Sequence, residues 1–301
     1  MYYHTILQYK IYKQLKRKVP LTMEFLNDWI RDKHYLDSLL LQFQTATPFP
    51  HVVIDNFFKP DIAAQIERAF PVPTSEQWNK YDNPIEMKFT LDKGLTTMEP
   101  AILASLWRFL QTDMLPIIQT LTGIPNLESD PHLHGAGFHY HPPGGKLEMH
   151  LDYSVHPITG KERRINLLIY MNPYWNPEGK WNGDLILTDP NKTCIKHVLP
   201  VFNRALIMRT SDISWHGMPH LIKCPKDYAR KSIAVYYVSD MDDKNEESAT
   251  MNSRPKAKFR PLFGLTDDYD NEEEYMKLCK LRDSRRLSHH DIPIEWKSSM
   301  Q

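Results

Sequence analysis

The sequence predicts a mainly β fold, a sandwich or jelly roll with flanking helices. Three observations carry this. From Leu133 onward, short runs with period-two alternation follow one another, among them Gly137 to Tyr140, Leu147 to Asp152, Arg164 to Met171, Asp184 to Leu187, Arg204 to Arg209 and Ser232 to Val238. Proline, glycine and asparagine punctuate them. No alternation of strands with helices appears in this stretch, which argues against a doubly wound parallel sheet.

The elements read in order as follows. Residues 1–45 predict a helical extension, because Ile6, Leu7, Ile11, Leu15, Phe25, Leu26, Trp29, Ile30, Leu36, Leu39 and Leu40 recur at roughly helical spacing. Lys10, Lys13, Lys16, Arg17 and Lys18 precede the first acid, Glu24, so its start reads as a basic amphipathic helix lying on the domain. Pro48 and Pro50 end this region, and the β-branched run Phe49–Phe58 reads as a strand. Pro60 opens a helix carrying Ile62, Ala63, Ile66 and Phe70 and closed by Pro71. Residues 72–96 are polar and turn-rich. A second long helix spans Pro100 to Leu121, with Gly123 after its end. Past Asp240 the chain is charged and poor in apolar residues, and 255–301 reads as peripherally packed or partly mobile. The implied division is a helical N-terminal extension (1–45), a central domain (46–240, with helical support over 58–123 and a jelly-roll core over 132–240) and a charged C-terminal extension (241–301).

Composition bounds the function. With 301 residues, 41% hydrophobic, a sizeable core can be buried. Lys plus Arg equals Asp plus Glu at 37 each, so no global field gathers nucleic acid, which disfavours that partner. The three cysteines, Cys194, Cys224 and Cys279, are scattered without a CxxC spacing, which points to reduced thiols in a cytoplasmic protein. No apolar run reaches the length of a membrane span, and no signal-peptide core opens the chain.

The informative segment is Gly144-Gly-Lys-Leu-Glu-Met-His-Leu-Asp-Tyr153. On a strand, His150 and Asp152 share one face and Met149 and Leu151 the other. One imidazole and one carboxylate are two thirds of a facial triad, and His216, 64 residues after Asp152, is the candidate third ligand. Such a site binds Fe(II) and leaves positions open for a chelating 2-oxo acid and O₂. Fourteen residues after His216, Arg230-Lys-Ser232 opens another strand. An arginine fork beside a hydroxyl suits a distal carboxylate, against the plainer reading of a surface ion pair.

At this point the sequence resembles the Fe(II)/2-oxoglutarate oxygenase superfamily, in particular its prolyl-4-hydroxylase-like branch. The resemblance runs from about Phe49 to Val238 and covers neither extension. It rests on Gly144-Gly with His150-Leu-Asp152, on Arg163-Arg-Ile-Asn-Leu-Leu-Ile-Tyr-Met-Asn-Pro-Tyr-Trp175, on Gly183-Asp-Leu185 (where Asn182 replaces a glycine), on Ser214 to Pro219 and on Arg230 to Tyr237. It implies a double-stranded β-helix and a dioxygenase, a hydroxylase by default. It implies Fe(II), 2-oxoglutarate and O₂ (ascorbate being a candidate reductant), with succinate and CO₂ as co-products and a peptidyl or small-molecule substrate. It carries over His150, Asp152 and His216 as ligands and Arg230 as the co-substrate anchor. Tyr140, and Ser232 by its place beside Arg230, are further co-substrate candidates.

Other residues admit two readings. Asn166 either faces the pocket or satisfies a backbone group. His132, His134, His139 and His141 could form a second metal site, though satisfied strand or pocket histidines are the plainer reading. His156 either lines the substrate entrance or is a loop histidine. Trp175, Trp181 and Trp215 read as packing, with Trp215 a shield beside His216. Asp152 argues against halogenation, which needs a vacant carboxylate position. The competing functions are a catalytically idle jelly-roll binding module, a cupin-like isomerase and a nucleic-acid demethylase of the same superfamily. The intact triad, Arg230-x-Ser232 and the zero net charge argue against these in turn.

Overall fold

A computed structural model of the chain describes residues 25–73, 77–176, 178, 180–241, 256–262 and 271–300. The basic helix expected before Glu24 lies outside the described residues. The backbone of the described chain forms one antiparallel sheet, ordered β1-β10-β7-β12-β5-β3-β6-β11-β8-β9, that curls on itself into a jelly roll with flanking helices. Its strands are β1 His51–Ile54, β2 Asn79–Asp82, β3 Glu86–Leu91, β4 Glu128–Ser129, β5 Gly137–His141, β6 Lys146–Leu151, β7 Glu162–Tyr170, β8 Leu185–Thr188, β9 Ile195–Val198, β10 Arg204–Arg209, β11 Trp215–Met218, β12 Arg230–Ser239 and β13 Lys258–Phe259. Strand β3 is the fold line, since it pairs with β5 on one wall and with β6 on the other.

The helices cover one face of the longer wall. They are α1 Lys33–Thr45, α2 Pro60–Ala69, α3 Ala101–Arg108 and α4 Leu115–Thr122. Asp32 caps α1 by accepting the Tyr35 N–H at 3.1 Å, and Leu36, Leu39 and Phe43 face inward. The helix expected over Pro100 to Leu121 is interrupted by a π turn at Phe109–Asp113, just before Pro116, which has no N–H to donate. Gly123 ends α4 with a left-handed φ of 71°. Strand alternation then divides β7. Ile165, Leu167 and Ile169 pack under the helices with Ile207, Ile233 and Val235. Leu168 and Tyr170 face the interior of the roll with Leu185, Leu206 and Met208.

Two regions differ from the sequence expectation. Residues 72–96, read as turn-rich, contain the β2–β3 hairpin, whose register pairs Tyr81 with Lys88. Its polar residues are legitimate strand residues because one face lines a cavity. Beyond Asp240, the described residues include β13 and a helix α5, Glu272–Ser284. Asn271 caps α5, and Glu272, Glu273 and Glu274 lie in its first turn, where negative charge complements the helix dipole. No described helix is long and apolar enough to cross a membrane.

Candidate active site

Strands β6 and β11 pair so that His216 stands opposite His150, with ring centroids 4.3 Å apart. Asp152 follows one residue past β6. Met149 and Leu151 turn the other way and pack with Ile186, Trp215 and Leu262, as period-two geometry requires. One ligand atom from each of His150, Asp152 and His216 lies within 4.8 Å of the others, the arrangement that can hold a metal ion. His150 Nε2 is 3.8 Å from Asp152 Oδ1, and His216 Nε2 is 3.4 Å from Oδ2. Gly217 has to be glycine here, since a Cβ would meet Glu148 O at 2.8 Å.

Each imidazole is oriented by its other nitrogen. His150 Nδ1 is 2.9 Å from Glu148 O, and His216 Nδ1 is 2.9 Å from Ser214 O. A carbonyl only accepts, so each Nδ1 carries the proton and each Nε2 lone pair is free for a metal. Burial pushes the His150 imidazole down to about 3, with the neighbouring His216 adding to it, so it is neutral at pH 7. Burial lowers His216 as well. Burial alone would raise the Asp152 carboxyl, but Arg163, the two histidines and an Asn166 hydrogen bond hold it well below the usual carboxylate range.

Asn166 faces the pocket. Its side-chain amide donates to Asp152 Oδ2 at 2.5 Å, while its Oδ1 accepts from Arg163 Nε at 2.9 Å and Thr210 Oγ1 at 3.3 Å. Arg163, quoted in the sequence motif but given no role, has its guanidinium 3.2 Å from Asp152 Oδ2, stacked between the rings of Tyr153 and Tyr236. Asp152 and Tyr153 follow β6 while Tyr236 comes from β12, so spacing along β7 alone could not reveal it.

Across the cavity, Arg230 and Ser232 share the inward face of β12 and line the same space of about 310 Å³ as the triad. Arg230 Nε donates to Gly183 O at 2.6 Å, and its guanidinium carbon lies 4.9 Å over the Tyr170 ring. No carboxylate among the described residues pairs with it, so its remaining N–H groups suit an incoming one. Gly183 has φ 84°, and a Cβ there would meet Trp175 at 2.8 Å and the Arg230 stem at 3.3 Å. Asn182, which replaces a glycine, tolerates its left-handed φ of 56° and donates to Leu221 O at 2.8 Å.

Tyr140 is not brought to the site. In β5, His139 and His141 face the cavity, and Tyr140 between them points to the other side. It lines a separate cleft with Trp175 and Tyr228, and packs near Trp78 and Phe89. The inward pair is instead His139, opposite Ser232, and His141, opposite Arg230. His139 Nε2 is buried with no hydrogen-bond partner among the described residues, which fits a ligand atom that would complete it. Cross-strand parity with Arg230 and Ser232 was the signal that could have found them.

The histidine run thus divides. His132 and His134 lie beside His156, whose Nε2 is 3.1 Å from Asp130 and whose Nδ1 accepts from Ile158 and Thr159 N–H. His156 is a buried loop histidine, and the one metal-type cluster among the described residues is the His150 triad.

The C-terminal residues also reach the site. Strand β13 pairs with β6 so that Phe259 opposes and stacks on His150, centroids 5.3 Å apart. Arg260 lies 3.8 Å over Trp215. The Tyr275 hydroxyl of α5 donates to Glu148 Oε2 at 2.6 Å, behind the ligand strand. Lys256, Ala257, Phe259, Arg282, Arg285 and Arg286 line the cavity. Their charge reads as solvated surface in the sequence; in the fold it rims the cavity.

Residues 136–238 match the family model described as the 2OG-Fe(II) oxygenase superfamily. Among solved structures, a prolyl hydroxylase from Trichoplax adhaerens in complex with a hypoxia inducible factor oxygen degradation domain peptide is similar in fold. It is 18% identical, over 72% of this chain and 96% of that one, with a TM-score of 0.52. A Pseudomonas putida prolyl-4-hydroxylase is 19% identical over 69% of this chain and 100% of that one, with a TM-score of 0.45. No curated protein matches the chain by sequence.

Proposed function

We propose that this chain, whose residues 136–238 are a 2OG-Fe(II) oxygenase domain and hence a 2-oxoglutarate-dependent dioxygenase using Fe(II) and O₂, hydroxylates an unactivated C–H bond of a prolyl-type peptidyl or small-molecule substrate, with iron on His150, Asp152 and His216. The observation that carries the site assignment is the convergence of two neutral Nε2 atoms and one ionised carboxylate within 4.8 Å.

The residues fit the metal. Two backbone carbonyls fix the imidazole tautomers, and Asn166 and Arg163 fix the carboxylate, leaving no free rotor among the three ligands. They fit the co-substrate as well. Arg230 is the anchor for the distal carboxylate, and Ser232 and His139 lie on the same inward face to complete its hydrogen bonds. Bound iron with 2-oxoglutarate supplies the oxidation, releasing succinate and CO₂. The protein's part is to orient the reactants and exclude water. Phe259 does the latter beside His150, whereas Trp215 points to the other face of β11 and packs with Met149 and Leu151.

The test is anaerobic titration of the full chain with Fe(II) and 2-oxoglutarate, then exposure to air. A weak visible charge-transfer band followed by succinate formation is expected. Well-folded protein giving neither would end the oxygenase reading and favour an idle binding module.

A further inference from the structure

The chain is neutral as a whole, yet its catalytic cavity is lined by seven basic and three acidic side chains. Most of these cations have structural duties. Arg163 answers Asp152, and Arg285 makes a two-point ion pair with Asp291 at 2.5 and 2.7 Å. Arg282 Nε takes Glu86 Oε1 at 2.6 Å. That leaves Lys88, among the described residues, with the second oxygen of the same Glu86 at 3.6 Å as its one acid partner, and with the Tyr81 ring 5.3 Å from its ammonium, so one carboxylate faces two cations. Arg286 lies 4.9 Å over the Tyr81 ring and makes no ion pair among the described residues, its charge reaching Glu86 only at longer range, and Lys256 donates to the Ser284 carbonyl. The remaining acid, Asp92, accepts from the Asn79 amide at 3.3 Å. Arg230 belongs to the co-substrate, so a bound dicarboxylate leaves the outer excess uncancelled.

We propose that Lys88 and Arg286 form an anion seat that holds a carboxylate or phosphate group of the primary substrate, which is a small anion. This rests on the oxygenase reading of the same cavity. A buried ammonium with half a partner is costly, and a second anion relieves it. The Lys88 side chain is 12% exposed while Arg286 is exposed at the rim, so the seat runs inward from the mouth. Low-dielectric walls around such a gradient concentrate small anions. Depth, and a chain with no net charge, favour a small molecule over a polyanionic strand.

The test uses the full chain loaded with Mn(II) and saturating 2-oxoglutarate, titrated by calorimetry with phenyl phosphate, benzoate, benzamide and benzylamine. Either or both anions should bind, their ratio separating phosphate from carboxylate recognition, and the neutral and cationic probes should not. Arg286→Gln and Lys88→Met should each weaken anion binding by about tenfold or more. Arg286 is exposed, so its variant remains informative if Lys88→Met misfolds. Equal binding of all four probes would overturn the seat. So would unchanged anion affinity in Arg286→Gln, or binding of a single-stranded oligonucleotide with neither small anion bound. The affinity for 2-oxoglutarate is read beforehand, by titrating it into the Mn(II)-loaded wild-type protein. Its loss would sink the oxygenase reading, whereas intact co-substrate binding without anion binding would sink the seat alone.

Discussion

The two walls of the cavity treat polar groups in opposite ways. On the β6–β11 wall nearly every atom has a partner, from the carbonyl behind each imidazole to the amide and guanidinium on Asp152. On the facing wall of β3, β5 and β12, and among the described residues, Arg230 pairs with no carboxylate, Lys88 has a shared one and His139 Nε2 has no hydrogen-bond partner. The difference teaches what each wall awaits. A fully partnered trio with three outward lone pairs is organised for one cation. Under-partnered cations and an orphan imidazole are completed by anions brought from solution.

The contrast can be broken at its strongest point first. Asp152→Ala should abolish metal binding, a loss well beyond about 100-fold in Mn(II) affinity, since it removes a ligand rather than its support. Affinity within tenfold of wild type would mean that this wall holds no metal. Arg230→Ala should raise the 2-oxoglutarate needed for half-maximal succinate formation by about 100-fold, leaving metal affinity intact. An unchanged requirement would move the anchor to Lys88 rather than Lys231, whose ammonium is already 2.6 Å from Glu67.

Asn166→Ala should weaken metal binding by about tenfold, the usual scale for a group that orients a ligand. Equal affinities would reduce Asn166 to a backbone-filling role. The smallest effect separates the walls by pH. Burial pushes His139 from 6.5 to about 3, with Lys88 and Arg230 adding to the shift. The neutral folded form is therefore fully favoured above pH 6.5, and that stability drains away as pH falls toward 3. Metal-free protein should lose about 1.4 kcal/mol at pH 5.5 per such histidine, and His139→Gln should flatten the melting profile by that much. A profile as steep as wild type would place His139 in contact with water.

The contrast also explains what was readable in advance. His150 and Asp152 follow from alternation along one strand, and the jelly roll from the rhythm of short runs. Asn166 and Arg163 needed the register of β7 against its neighbours, with its irregularity near Tyr237 and Val238. Tyr140 failed by one position, because a one-residue error on a strand reverses the face. The C-terminal contribution was hidden for a different reason. Its residues are charged and carry little apolar periodicity, so composition describes them as surface, and only tertiary pairing makes Arg282 and Arg286 part of a mouth.

The docking of Phe259 against His150 has a consequence in time. A chain made from its N-terminus completes β6 and β11 some forty residues before Phe259 follows Met218 out of the ribosome. Until then one side of His150 lies bare, and a metal captured early beside it would be exposed to water and oxidants. The covering strand thus leaves the ribosome after His150, Asp152 and His216. Stalled chains in which residue 262 has or has not cleared the ribosomal exit tunnel should differ in how fast a chelator strips their metal, and equal rates would show that the strand seals nothing.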